Sequence, residues 1–381
     1  MNNKKILIIN SRHPSLIALF NIFEELSNYN YHFNLFANDK KMLNKFKEKK
    51  WFYKKIPKFF NPNKLLNIIL IFIFYPIFIF FGILFLSYFK YIKKITIVIC
   101  CSWFEKIILT YPAKILKIKI IWMERPGLNY KNINKLLSIL FKINSNNAKI
   151  ITFLDYTKNI LIKIGVLEKN INTVLPGIKL NNIKRQENIF DNLAQTNYSN
   201  SNKKFFTIGT IIKLDNKYKT EILLHSCKKC SEIINNLQLI VVGDGEEKQN
   251  LIWLAKKMDI DNFVWFVGEQ KYIKKWINNF DIFISICDTL YLRDINIIIN
   301  TLLSGKPIIA PNNIGIENII QNNYNGKLIN IDNSEILAQE ILKLYKNKSL
   351  RKKISEQAII SANNNFNISK TVLSIKNILE N

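Results

Sequence analysis

The sequence predicts a two-domain α/β protein built on parallel sheets. Short apolar runs recur along the chain, each followed by a loop and a helical stretch. The runs are continuous rather than alternating, the pattern of strands covered on both faces. A polar, aperiodic segment at residues 181–204, rich in Asn, Gln and Ser, divides these repeats into two sets and reads as a linker.

In the first set, Lys5–Asn10 (KILIIN) reads as a buried strand, followed by a helix over Leu16–Asn28 and a strand over Tyr31–Phe36. This opening is Rossmann-like, but the first loop lacks glycines, so ligand contacts there fall to Ser11, Arg12 or His13. Further strands are expected at Ile95–Cys100, Lys117–Trp122, Ala148–Phe153 and Asn172–Leu175. Glu124 and Arg125 follow the Lys117–Trp122 strand, and the carboxyl end of a buried strand is well placed for chemistry.

Lys40–Phe60 interleaves lysines with Phe46, Trp51, Phe52 and Tyr53. That mixture suits an anionic membrane interface, single-stranded nucleic acid or simply a solvated basic helix. Leu65–Phe89 is almost wholly apolar and long enough to be a membrane candidate. If the strands on either side of it share one sheet, a single crossing would tear that sheet apart. Pro76 and Gly82 would break a helix here, so a broken helix or hairpin lying in the interface fits; a long buried core helix is the alternative. The basic residues flank an apolar segment rather than a stacking platform, which argues against nucleic acid.

In the second set, strands are expected at Phe205–Ile212, Leu237–Val242, Phe263–Val267 and Phe280–Ile286. Gly243-Asp244-Gly245 opens the loop after the second of these, where backbone N–H groups can approach a phosphate. Asn296–Ile320 completes the set: a helix, a break at Ser304–Pro307, a strand at Ile308-Ile309, a turn, and a new helix near Gly315.

At 381 residues and 48% hydrophobic, the chain has ample material for two cores. Its net charge of +27 points to polyanionic partners, although heavy use of Asn, Ile and Lys is also what an AT-rich coding sequence produces. Lys4-Lys5 leads directly into a strand, without a secretory signal, and five scattered Cys fit a reducing cytoplasm. The lone Cys227–Cys230 pair is read as helix packing.

Four segments, in order, resemble one family. Ile208–Asp215 (IGTIIKLD) is similar to "GT(I/V)xRLD", and Val241–Glu246 (VVGDGE) to "VGDGP/E". Asn296–Gly315 is similar to "NVLLEAMAxGKPVIATxxGG", and Thr152–Gly177 to "xxSxxTKxxLIxxGVxxxKIxVIPNGI". Together they resemble the family 4 retaining nucleotide-sugar glycosyltransferases of the GT-B fold, in which two Rossmann-like domains face each other across a cleft. The resemblance implies a metal-independent transferase needing no cofactor beyond its nucleotide-sugar co-substrate. It implies an acceptor that is lipid-linked or an envelope glycan, and a peripheral site of action on the anionic inner face of the cell membrane. The domains would be 1–180, with 65–89 at the membrane, the linker 181–204, 205–360 for the donor, and 361–381 as a helix returning to the first domain.

By the same resemblance, Lys213 and Lys219 would carry charge neutralisation at the leaving diphosphate, with Asp294 and Glu124 also catalytic. Gly209, Lys217, Gly243, Gly245, Arg293, Asn296, Asn300, Gly315 and Ile316 would bind donor. His13, Arg12 and Arg125 would lie on the acceptor side. The family's E-x7-E carboxylates fall on Leu292 and Asn300, and Arg293-Asp294 with Asn296 resembles the "RDG-x-x-N" of some relatives. The missing carboxylates keep open a second reading, a catalytically lapsed binding partner.

Overall fold

A computed structural model describes residues 4–12, 14–58, 65–126, 135–179, 205–215, 219–287, 291–312 and 315–380. His13, Lys217 and the expected linker therefore lie outside the described residues. The chain forms two compact units, Met1–Lys179 with Ile368–Asn381, and Leu180–Asn367.

The first unit holds strands β1 (Lys4–Asn10), β2 (Tyr31–Ala37), β3 (Phe52–Lys55), β4 (Ile97–Cys100), β5 (Lys119–Met123), β6 (Lys149–Thr152) and β7 (Ile171–Thr173). They form one parallel sheet in the order β3-β2-β1-β4-β5-β6-β7. Its helices are α1 (Phe20–Ser27), α2 (Lys40–Glu48), α3 (Leu65–Ile73), α4 (Tyr75–Tyr91), α5 (Trp103–Ile115), α6 (Lys135–Ser145) and α7 (Asp155–Lys163). Helices cover both faces of β1, so Ile6 to Ile9 are buried without alternation.

The basic stretch 40–58 divides in two. Asp39 caps α2, its Oδ1 accepting from the Lys41 and Met42 N–H groups at 3.0 and 3.4 Å. The buried face of α2 is Met42, Leu43 and Phe46, with Phe46 edge-on to Trp51 at 5.1 Å. β3 was not expected: its four residues are all exposed, so no hydrophobic pattern marks it. It is the sheet edge, where lysines discourage further strand pairing.

The apolar segment is two helices, broken at Phe74, with Pro76 in the first turn of α4, where a missing N–H costs nothing. Gly82 does not break α4, contrary to expectation: a Cβ there would sit 3.0 Å from Pro112, so glycine lets α4 approach α5. Phe85 and Phe89 hold α4 to the sheet by edge-on contacts with Phe36 at 5.8 and 5.3 Å. Among the described residues, no helix is long and apolar enough to cross a membrane.

The second unit holds β8 (Phe206–Ile211), β9 (Leu237–Val242), β10 (Val264–Gly268), β11 (Ile282–Ile284), β12 (Ile308–Pro311) and β13 (Lys327–Ile329). They form a parallel sheet in the order β10-β9-β8-β11-β12-β13. Its helices are α8 (Thr220–Ser231), α9 (Lys248–Lys257), α10 (Ile273–Asn279), α11 (Leu292–Leu303), α12 (Ser334–Lys346) and α13 (Lys348–Asn365). Cys227 and Cys230 are buried in α8 among this unit's core side chains.

The last helix, α14 (Ile368–Glu380), belongs to the first unit. The returning segment is thus shorter than the expected 361–381, because α13 continues to Asn365 within the second unit. Thr371 Oγ1 donates to the Leu175 carbonyl at 2.8 Å, and Lys119 Nζ to that of Ile378 at 2.7 Å. Partial burial, with Lys149 and Lys4 nearby, lowers the Lys119 ammonium to about 8.

Gly209 lies in β8 directly beneath the Phe280 ring, leaving no room for a Cβ. Gly209→Ala is expected to destabilise the protein by about 1–3 kcal/mol through overpacking, read as a lower urea midpoint with an unchanged slope.

Candidate functional site

Parallel strands all end on one edge of their sheet. Where the strand order reverses, the loops on that edge diverge and leave a crevice, the usual ligand position in open α/β sheets. Each unit has one such place: between β1 and β4, and between β8 and β11.

In the second unit, Lys213 follows β8 and Leu292–Asp294 begins the helix after β11, so both flank the reversal. The Lys213 side chain is more than half exposed, with Asp215 at 3.4 Å. Lys219 stands at the N-cap of α8, and its ammonium pairs with Asp332 at the surface. Beside β8, the loops after β8 and β9 are stitched together: Leu214 N–H donates to the Asp244 carbonyl at 3.0 Å, and Glu247 N–H to that of Leu214 at 3.1 Å. This stitching explains both loop glycines. A Cβ at Gly243 would strike the Ile212 carbonyl, and one at Gly245 that of Leu214.

Asp294 is buried and closes a capping box with Tyr291, accepting from its N–H at 3.2 Å; the half-exposed Arg293 lies 3.6 Å away. Leu292 is buried. About two turns along, Asn300 donates through Nδ2 to the Asn296 carbonyl at 2.7 Å. Its buried Oδ1 has no hydrogen-bond donor among the described residues. Gly315, after β12, has φ +101°, and its N–H donates to Glu317 Oε2 at 2.7 Å. Ile316 is fully buried. In this state Glu317 occupies the Gly315 amide expected to face phosphate.

In the first unit, the reversal is built around consecutive residues of the first turn of α5. Glu105 Oε1 accepts from the Ser11 N–H at 2.7 Å. Ser102 Oγ donates to Asn10 Oδ1 and accepts from the Arg12 N–H, each at 3.2 Å. Lys106 Nζ pairs with Glu124 at 2.6 Å, both side chains fully buried, and donates to the Met123 carbonyl at 3.2 Å. Half-buried Arg125 follows. Glu124, expected to be catalytic, is thus committed to Lys106 below the surface, a positioning arrangement for the loop that carries Arg125.

Burial pushes the Glu105 carboxyl above its ordinary 4.5, opposed by hydrogen bonds from Ser11 and by the Lys106 charge. Sequence reading missed Glu105 and Lys106. The one available signal, Ser102-x-x-Glu105 ahead of an apolar run, has the spelling of a local helix cap. Ser102 makes no cap bond, and both side chains reach to the β1 loop instead.

Two Rossmann-like units with parallel sheets of this order define a GT-B fold. Residues 191–360 match the family model of glycosyl transferases group 1, making this a GT-B chain with a group 1 glycosyl transferase region. It is similar to HepE of Anabaena, solved in complex with UDP, with a TM-score of 0.78 at 15% identity over 99% of each chain. It is 26% identical over 233 residues to an uncharacterized glycosyltransferase of Methanocaldococcus jannaschii, covering 58% of this chain and 56% of that one. It is 27% identical over 119 residues to the lipopolysaccharide core biosynthesis glycosyltransferase LpsE of Rhizobium meliloti, covering 31% and 34%. The matches thus span about half and a third of these curated relatives.

Lys106→Met leaves the Glu124 carboxylate buried against an apolar chain and is expected to cost about 3–5 kcal/mol in urea unfolding. Adding Glu124→Leu is expected to restore most of that loss. For Glu105, the sign follows from its raised value in the fold. Below 4.5 the group is protonated both folded and unfolded, and burial carries no ionic cost; above the folded value it is ionised in both states, and that cost is fully present. The Tm of Glu105→Gln relative to the natural protein is therefore expected to rise with pH. A difference that falls or stays flat between pH 4 and 8 contradicts this.

Proposed function

We propose that the protein is a retaining glycosyltransferase that moves a sugar from a nucleotide-sugar donor to a lipid-linked or envelope-glycan acceptor at the inner face of the cell membrane. The observation that carries this reading is the reversal between β8 and β11, in the unit that holds three of the four family-like segments. HepE, which shares the fold, was solved with UDP and with UDP-glucose, and LpsE acts in lipopolysaccharide core biosynthesis.

In this reading Lys213 and Lys219, with Lys217, neutralise the leaving diphosphate in the place a metal ion would otherwise take. The present partners of Lys213 and Lys219 do not compete strongly. Exposed ion pairs such as Lys219–Asp332 contribute only about 0–1 kcal/mol, so a dianionic diphosphate displaces them. The buried Asn300 Oδ1 accepts from a donor hydroxyl, supplying neutrally what a carboxylate supplies in relatives. The acceptor hydroxyl attacks the anomeric carbon from the face the diphosphate leaves. The carbon–oxygen bond to phosphate breaks, and the hydroxyl proton passes to the departing phosphate oxygen.

A second reading keeps the fold and nucleotide binding but not turnover. It is favoured by Leu292, apolar and buried where relatives carry a carboxylate. A panel of UDP-, GDP- and ADP-sugars separates the possibilities. One of them is expected to raise the Tm and to be slowly hydrolysed, with Lys213→Ala weakening its binding by about tenfold, roughly 1.4 kcal/mol. Binding without hydrolysis or transfer supports the second reading. Absence of any response in folded protein removes both.

A further inference from the structure

The outward face of α4 has no partner among the described residues, although the helix is apolar over most of its surface. Its inner side packs on α5 and the sheet through Gly82, Leu86 and Phe89. Opposite these, Ile77, Phe80, Phe81, Leu84 and Tyr88 are each about half exposed. They recur every three or four residues and form a stripe along a helix about 26 Å long at 1.5 Å per residue. The stripe continues onto Tyr111 and Ile115 of α5, which runs alongside. A continuous apolar face of this kind marks an interaction surface rather than ordinary scatter.

Charge identifies the occupant. No Asp or Glu occurs between Glu48 and Glu105, and Glu105 is buried at the start of α5, so the stripe and its β3 neighbour offer only positive charge at the surface. That charge gathers at one end. Lys93 lies over the Phe52 ring of β3 at 5.4 Å, Lys94 is exposed, and Lys114 and Lys117 are exposed at the matching end of α5. Lys90 reaches the Leu116 carbonyl at 2.7 Å and ties the two helix ends together. Aromatic and aliphatic side chains beside exposed lysines match the acyl and headgroup layers of an anionic bilayer.

We infer that α4, with the end of α5 and the β3 edge, lies flat in an anionic membrane leaflet, its stripe entering the acyl boundary without crossing. This deepens the reading of a membrane-side transferase by naming the docking face. The docking itself is measured without any sugar nucleotide, so it can fail while donor binding stands, and the reverse.

The test is flotation of the full chain with phosphatidylcholine vesicles, with and without 30% phosphatidylglycerol. Binding is expected to be at least tenfold stronger with the anionic lipid. Phe80→Glu with Phe81→Glu is expected to abolish it, and Lys93→Glu with Lys94→Glu to weaken it about tenfold, with the natural protein's thermal shift in the sugar-nucleotide panel retained in both. All five native cysteines are buried, so Phe80→Cys accepts a polarity-sensitive fluorophore selectively. Its emission is expected to shift to the blue on adding anionic vesicles. The proposal is overturned if the natural protein floats with neither lipid mixture, or equally with both. It is overturned equally if the fluorophore stays in water on vesicle-bound protein, or if sedimentation shows the stripe buried in a dimer that ignores vesicles.

Discussion

Parallel pairing is the constraint on which the rest of this structure depends. A parallel strand needs a crossover to return to its starting end, and the crossovers bury both faces of the sheet. All loops that could carry chemistry are thereby collected along the carboxyl edge. The order of strands then decides where that edge opens: between β1 and β4 in one unit and between β8 and β11 in the other. Lys213, Arg293 and Asp294 owe their neighbourhood to this reversal, although 80 residues separate Lys213 from Arg293.

The two openings are held by different means. In the second unit the loops are fixed by backbone hydrogen bonds so close that only glycine fits at 243 and 245. The charged side chains there lie largely in solvent and exchange partners at little cost. In the first unit the loops are fixed by acidic and basic side chains taken out of water. Burying Glu105, Lys106 and Glu124 is tolerable because each meets a donor, an acceptor or an opposite charge at hydrogen-bond distance. One unit thus has adjustable charge at its opening, and the other a rigid edge.

Much of the fold was legible in the residues. Leu237–Val242 emerges with the expected bounds because a run that is apolar except for Gln238 is closed by Asn on one side and Gly on the other. β1 and β4 share a sheet, as the argument against a membrane crossing between them required. The break near Pro76 was legible from the missing amide. Gly82 misled, because a glycine that ends a helix and one that admits a neighbouring helix look alike in sequence. β3 was hidden because its side chains are all exposed.

The sequence by itself determined where buried strands lie, that they pair in parallel, and which short motifs follow their ends. Local composition suffices for that, since hydrophobic runs and turn residues act over a few positions. Only the tertiary structure decided what each charged side chain does. Ser102-x-x-Glu105 has the spelling of a helix cap, yet Glu105 holds a loop 94 residues away. Glu124 has the placement of a reacting group, yet it neutralises a buried lysine on a neighbouring helix. A carboxylate's role depends on what surrounds it, and packing brings those neighbours from distant parts of the chain.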